Sequence, residues 1–201
     1  LQQVIDQAGE HAVIQCDQNA LLVFQKPLVI CQPITLQGLK AQLPAGLGRT
    51  SLIEVKASGV KLLELELHGN YDSVSQQDRK ALVWLARGDF RVERCRFYDG
   101  SKDGLMITPE AGRGDLVGGY VSDIKAYRMG RDAVSISGGN QGSRVVNVTV
   151  EDVSVETSYL RGAVEVSDGT ENIVVRNVRA KNGLYAIDVQ DHKGKSAPNI
   201  N

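Results

Sequence analysis

Four cations in this 201-residue chain, Arg79, Lys102, Arg131 and Arg161, each head a similar short segment. The clearest copies are Lys102-Asp103-Gly104-Leu105-Met106-Ile107-Thr108, Arg131-Asp132-Ala133-Val134-Ser135-Ile136-Ser137 and Arg161-Gly162-Ala163-Val164-Glu165-Val166-Ser167. Two weaker copies flank them, Arg79-Lys80-Ala81-Leu82-Val83-Trp84-Leu85 and Leu184-Tyr185-Ala186-Ile187-Asp188-Val189-Gln190. Equivalent residues of stacked strands lie about 4.8 Å apart. A column of like charges at that spacing repels itself, so it needs either interleaved carboxylates or an anionic ligand. Asp103 and Asp132, each beside a cation, are placed to supply the first. The second would make the column one wall of a groove for an acidic polysaccharide. Two ladders of side chains are expected to project outward beside it: Val83, Met106, Ser135, Glu165 and Asp188, then Leu85, Thr108, Ser137, Ser167 and Gln190.

These residues need strands to carry them. Each copy has a small residue third and apolar residues fourth and sixth, the period-two pattern of a half-buried strand. A second string recurs just upstream: Leu62-x-x-Leu65-x-Leu67, Val92-x-x-Cys95-x-Phe97, Val121-x-x-Ile124-x-Ala126, Val150-x-x-Val153-x-Val155 and Val175-x-x-Val178-x-Ala180. Its two middle residues, such as Glu93-Arg94 or Glu151-Asp152, read as a tight polar corner between short strands. The heads of the five copies, residues 79, 102, 131, 161 and 184, are separated by 23, 29, 30 and 23 residues. A period of this length indicates a solenoid, a propeller or an array. Spacing by two excludes helical repeats, and constant strands joined by uneven loops fit a parallel β-helix. Residues 1–10 place Leu1, Val4, Ile5 and Ala8 on one helical face, suited to a cap over the first coil. Residues 11–59 read as the first coils and 60–201 as regular ones, all in one domain.

Composition narrows the function classes. A net charge of −1 gives no reason to expect a nucleic-acid partner or a membrane surface. No apolar run approaches the length of a membrane span. Three cysteines, Cys16, Cys31 and Cys95, exclude a disulfide-dense scaffold and show no zinc spacing. Cys95 falls in an apolar slot and is expected to be a buried free thiol. Gly194-Lys195-Ser196 lacks the upstream glycine of a phosphate loop, since Val189 stands there.

Strings such as Ser143-Arg-Val-Val-Asn-Val-Thr-Val-Glu-Asp-Val-Ser-Val155 and Thr170-Glu-Asn-Ile-Val-Val-Arg-Asn-Val-Arg-Ala180 give the chain a family resemblance. Over nearly its whole length it resembles right-handed parallel β-helix proteins of the pectate-lyase-like superfamily. Pro198-Asn199-Ile200 parallels Glu171-Asn172-Ile173 and reads as the start of a further coil. The resemblance implies a secreted, extracellular or periplasmic protein that binds and cleaves a uronate-containing polysaccharide by β-elimination. That chemistry neutralises the uronate carboxylate with Ca²⁺, Arg or Lys, removes a proton with a base and protonates the leaving oxygen. The resemblance assigns neutralisation to Lys102, Arg131 and Arg161. The base would come from Arg131, Lys102, Tyr185 or His192, and Asp103, Asp132, Glu165, Asp188 and Gln190 would contact substrate.

Two related chemistries fit less well. Glycosidases of this superfamily carry Gly-Asp-Asp, and here Gly130-Arg131-Asp132 replaces the first carboxylate, so the acid–base pair of glycoside hydrolysis is not expected. Tyr185-Ala186-Ile187-Asp188-Val189-Gln190 keeps the Tyr and Asp of the mannuronan epimerase segment but has Gln190 where that family has histidine. A non-catalytic β-helix serving as an adhesin, spike or binding module is the rival from another class.

Overall fold

The computed structural model describes residues 1–139, 142–192 and 198–200; Gly194-Lys195-Ser196 lies outside them. The chain winds into a parallel β-solenoid of about six turns. One sheet has seven strands stacked in chain order: Leu28–Ile30, Ile53–Val55, Val83–Leu85, Leu105–Ile107, Val134–Ser137, Gly162–Ser167 and Tyr185–Gln190. Its rungs are 25, 30, 22, 29, 30 and 23 residues apart, so the loops absorb every length difference while the strands stay in register. The second sheet has ten strands. Its later members are long and bent, among them Phe90–Tyr98, Leu116–Tyr127, Val145–Thr157 and Thr170–Asn182.

The bend has one backbone cause. Gly38, Glu64, Arg94, Asp123, Asp152 and Asn177 occupy equivalent positions, and all six have left-handed φ between 49° and 72°. One such residue turns a strand sharply, which Asp and Asn tolerate better than other residues with a Cβ. Glu64 and Arg94 are less suited by type, but they face each other across adjacent rungs and form an ion pair of 3.1 Å.

Alternation buries one side of every strand. Leu62, Val92, Val121 and Val150 form one inward file, Leu65, Cys95, Ile124 and Val153 the next. Cys95 is a buried free thiol, as its slot in the repeat implies, and burial pushes it up to about 12. In the seven-stranded sheet the inward files are Val83, Leu105, Val134 and Val164, and Leu85, Ile107, Ile136 and Val166.

This register corrects the first weak copy by one residue. Val83 and Leu85 point inward, and Trp84 takes the outward place beside Met106, Ser135, Glu165 and Asp188. The cation aligned with Lys102 is accordingly Lys80, not Arg79, whose guanidinium packs over the Tyr71 ring at 4.5 Å.

The two ends differ. At the first, helix Gln2–Gln7 lies against the edge strand Leu28–Ile30. The Gln2 amide donates to the Val29 carbonyl and accepts from the Val29 N–H, both at 2.8 Å, as a neighbouring strand would. Ile5 is buried, whereas Val4 faces solvent instead of joining the expected apolar face. At the last rung Ile187 and Val189 sit at inward positions yet stay exposed, because among the described residues no further strand of the seven-stranded sheet stacks on them.

Candidate functional site

The residues singled out by charge converge on the outward side of the last four rungs of the seven-stranded sheet. Glu165 is the centre. It occupies an outward position, yet it is only 2% exposed, because four donors close over its carboxylate. Arg131 Nη2 reaches Oε2 at 2.8 Å and Arg161 Nη1 reaches Oε1 at 2.9 Å. Ser135 Oγ donates to Oε2 at 3.1 Å and Gln190 Nε2 to Oε1 at 2.5 Å. The strand register explains the meeting, since Ser135, Glu165 and Asp188 are successive cross-strand neighbours, as are Ser137, Ser167 and Gln190.

A second group lies just before these strands. Asp103 and Asp132 are 1% and 0% exposed. Each carboxylate accepts from the backbone N–H of the next rung: Asp132 N–H donates to Asp103 at 3.3 Å and Gly162 N–H to Asp132 at 3.2 Å. Tyr185, two rungs above Asp132, also donates its hydroxyl to Asp132 Oδ1 at 2.9 Å.

Gly162 makes that reach possible. It occupies the rung between Asp132 and Tyr185, and a Cβ there would lie 2.1 Å from the Tyr185 carbonyl oxygen and 2.4 Å from its ring. Gly162→Ala is expected to displace Tyr185 from Asp132 and cost about 1–3 kcal/mol, the usual range for overpacking. Urea unfolding measures the cost, and the tyrosine resonances report whether Tyr185 has moved.

Burial, joined by the charges of Asp103 and Glu165, raises the Asp132 carboxyl to about 7. Burial also raises Asp103, with Arg131 and Lys102 opposing it. Tyr185 is pushed up by burial and by the negative charge of Asp132. Burial and the neighbouring carboxylates thus favour the protonated form of Asp132, beside a carboxylate, Glu165, clamped by two guanidiniums. The carboxylates missing from any single segment are gathered from three rungs.

Of the four expected cations, Lys102, Arg131 and Arg161 stand in the column, but they are not free. Arg131 lies 3.6 Å from Asp103 and 3.7 Å from Asp132, in addition to its bond to Glu165. Arg161 also lies 3.9 Å from Asp188, and Lys102 is 3.9 Å from Asp103. Carboxylates interleaved between cations thus relieve the column. Lys102, Arg131, Arg161, Tyr185, Asp188 and Gln190 remain partly exposed. His192 is not brought in; its Nδ1 sits 2.6 Å from Asp168, beyond the far end of the strand.

Sequence reasoning missed Trp84 and Gly162, and it placed Ser135 on the outward ladder without giving it a part in the site. Trp84 was concealed by the one-residue slip, and it stands on the same outward face with Lys56 at 5.6 Å over its ring. Its signal was its type, since the indole N–H seeks a partner; it donates to the Thr108 carbonyl at 2.9 Å. Among the described residues, no group of three or more His, Cys, Asp or Glu side chains is arranged to hold a metal ion, and no helix is long and apolar enough to cross a membrane. Comparison of this chain with protein-family models, with curated proteins and with solved structures finds no match.

Proposed function

We propose that this chain binds a polysaccharide on the outward face of its seven-stranded sheet. One observation carries the reading: Arg131 and Arg161 are fixed, partly exposed, by a single buried carboxylate on the face that also carries Trp84 and Met106. Burying a charge cluster is costly, and a solenoid wall with no other role gains nothing from it. Held donors spend little entropy on binding. An indole on the same face, two rungs from Arg131, suits a sugar chain, which offers apolar C–H faces as well as hydroxyls. Three cations facing four carboxylates leave the face with little charge preference, so hydroxyl recognition is favoured over capture of an anion. The binding site of an extracellular or periplasmic β-helix of the pectate-lyase type is consistent with this arrangement.

Titration calorimetry with neutral and uronate oligosaccharides tests the reading. Trp84→Ala and Arg161→Gln are each expected to weaken binding about 10-fold, in line with the loss of one stacked ring or one charge-assisted hydrogen bond. Unchanged affinity in both variants would remove the sheet face as the binding site.

A second reading, β-elimination at a uronate, is favoured by the Tyr185–Asp132 pair. Lys102 or Arg131 would take the proton from C5, Tyr185 would give its hydroxyl proton to the leaving oxygen as its bond to C4 breaks, and Asp132 would return a proton to Tyr185. Its test is the near-ultraviolet-edge absorbance of an unsaturated product from pectate, alginate or glycosaminoglycan, with and without calcium. Product formed by the wild type and not by Tyr185→Phe would make the protein a lyase; no product from any of the three would exclude that activity on them.

A further inference from the structure

A second surface carries the charge preference that the first lacks. The bend in the ten-stranded sheet forms a trough along the solenoid, with one cavity of about 460 Å³ lined by Lys40, Glu64, Arg94, Arg96, Asp123 and Lys125. It continues into one of about 470 Å³ lined by Asp152, Ser154, Asn177 and Arg179. One wall is a file in strict register, Lys40, Glu66, Arg96, Lys125, Ser154 and Arg179; Glu66 pairs with Lys40 at 2.8 Å, which leaves the three cations Arg96, Lys125 and Arg179. Most arginines of the described residues have a carboxylate within 4 Å, but none of these three cations does. The file rises about 4.8 Å per rung, so Arg96 to Arg179 spans about 14 Å.

The opposite rim is the file of left-handed residues, and it bears Asp123 and Asp152, both exposed and without an ion pair. Cations on one wall and carboxylates on the other select among polyanions. A nucleic acid presents closely spaced phosphates, which the acidic rim repels. A sugar acid presents carboxylates or sulfates for the cations and hydroxyl donors for the aspartates. The stacked rings of His68, Tyr98 and Tyr127, with centroids 4.6 and 4.8 Å apart, stiffen the sheet above the trough, but they cover one another's faces and leave only edges to a ligand.

We propose that this trough is a binding site for a linear anionic polysaccharide, separate from the sheet face. Its acidic groups lie along Arg96, Lys125 and Arg179, and its hydroxyls donate to Asp123 and Asp152. The test is calorimetric titration of the full chain with a defined oligogalacturonate, a neutral oligosaccharide of equal length, and a single-stranded DNA of equal charge. The triple variant Arg96→Gln, Lys125→Gln, Arg179→Gln alters only surface side chains, and its thermal melt checks that it is folded. Oligogalacturonate is expected to bind the wild type, more weakly as salt rises, and roughly 10-fold or more weakly in the triple variant. The double variant Asp123→Asn, Asp152→Asn is expected to gain affinity for the DNA and lose it for the oligogalacturonate.

Equal oligogalacturonate binding by the wild type and the triple variant overturns the proposal, as does wild-type preference for the DNA. Binding lost in Arg161→Gln and Trp84→Ala alone places the ligand on the sheet face, sinking the trough while sparing the reading above. Neutral oligosaccharide bound without oligogalacturonate does the same; oligogalacturonate bound through the trough alone upholds this site, and the neutral oligosaccharide then decides the sheet face separately.

Discussion

Replacing Glu165 with alanine is expected to destabilise the protein by about 3–5 kcal/mol, the range for removing one partner of a buried ion pair. The carboxylate is the common acceptor of Arg131, Arg161, Ser135 and Gln190. Its loss leaves two guanidiniums facing each other without the carboxylate between them and two neutral donors without their acceptor. Glu165→Gln keeps the volume and one good acceptor but turns an amide N–H₂ toward a guanidinium, so a smaller loss of about 2 kcal/mol is expected. Urea unfolding at pH 7 gives both values. The distribution of damage is equally informative, because rungs of a solenoid contact only their neighbours. Hydrogen exchange should accelerate in residues 160–190 and change little around Leu28–Ile30 and Ile53–Val55. A cost below about 1 kcal/mol would mean that the arginines find other partners and that the clamp is dispensable.

Why the sequence announced these residues but not their arrangement can be followed residue by residue. Leu62, Val92, Val121, Val150 and Val175 could be aligned by eye, because polar residues interrupt every copy at the same places and only one register buries all the apolar ones. Leu82-Val83-Trp84-Leu85 has no polar interruption, so period two carried no information there. The adjacent Arg79 and Lys80 then offered two heads for the copy, and the wrong one was as good a match. Glu165 shows a deeper limit. Its position in the strand is outward, and alternation correctly says so, but outward does not mean wet when two arginines from different rungs fold over it. The Tyr185–Asp132 contact depends on an absent side chain at Gly162, across 53 residues of chain. The bend was legible as a polar pair; that Arg94 and Glu64 adopt left-handed φ follows from their place in the stack and not from their type.

Stability is expected to fall as pH rises from 5 to 8, and Asp132 sets the direction. Its carboxyl titrates near 7 in the folded chain, against an ordinary value of 3.8, because burial and the neighbouring Asp103 and Glu165 oppose its ionisation. Between those two values the folded protein binds a proton that the unfolded chain has released. Stability tied to this group is therefore fully present below about 4 and is lost as pH climbs through about 7. The loss is up to about 4 kcal/mol if Asp132 alone carries it. Asp103, raised in the same direction, reinforces the trend. Glu64, Glu66, Asp78 and Glu151 are lowered by their hydrogen-bond and ion-pair partners, so their contributions disappear on acidification below the ordinary carboxylate range. The two trends together predict a stability maximum near pH 5. Asp132→Asn imitates the protonated acid: its amide oxygen still accepts from Tyr185 and Gly162, and it has no proton to lose. That variant should show a shallower fall than the wild type between pH 5 and 8, with only the Asp103 contribution left, and be at least as stable as the wild type at pH 8. Urea midpoints at pH 5, 6.5 and 8 decide the matter. A wild-type midpoint that holds steady or rises across that window would show that Asp132 is ionised throughout, and that the cluster holds no proton for any chemistry at neutral pH.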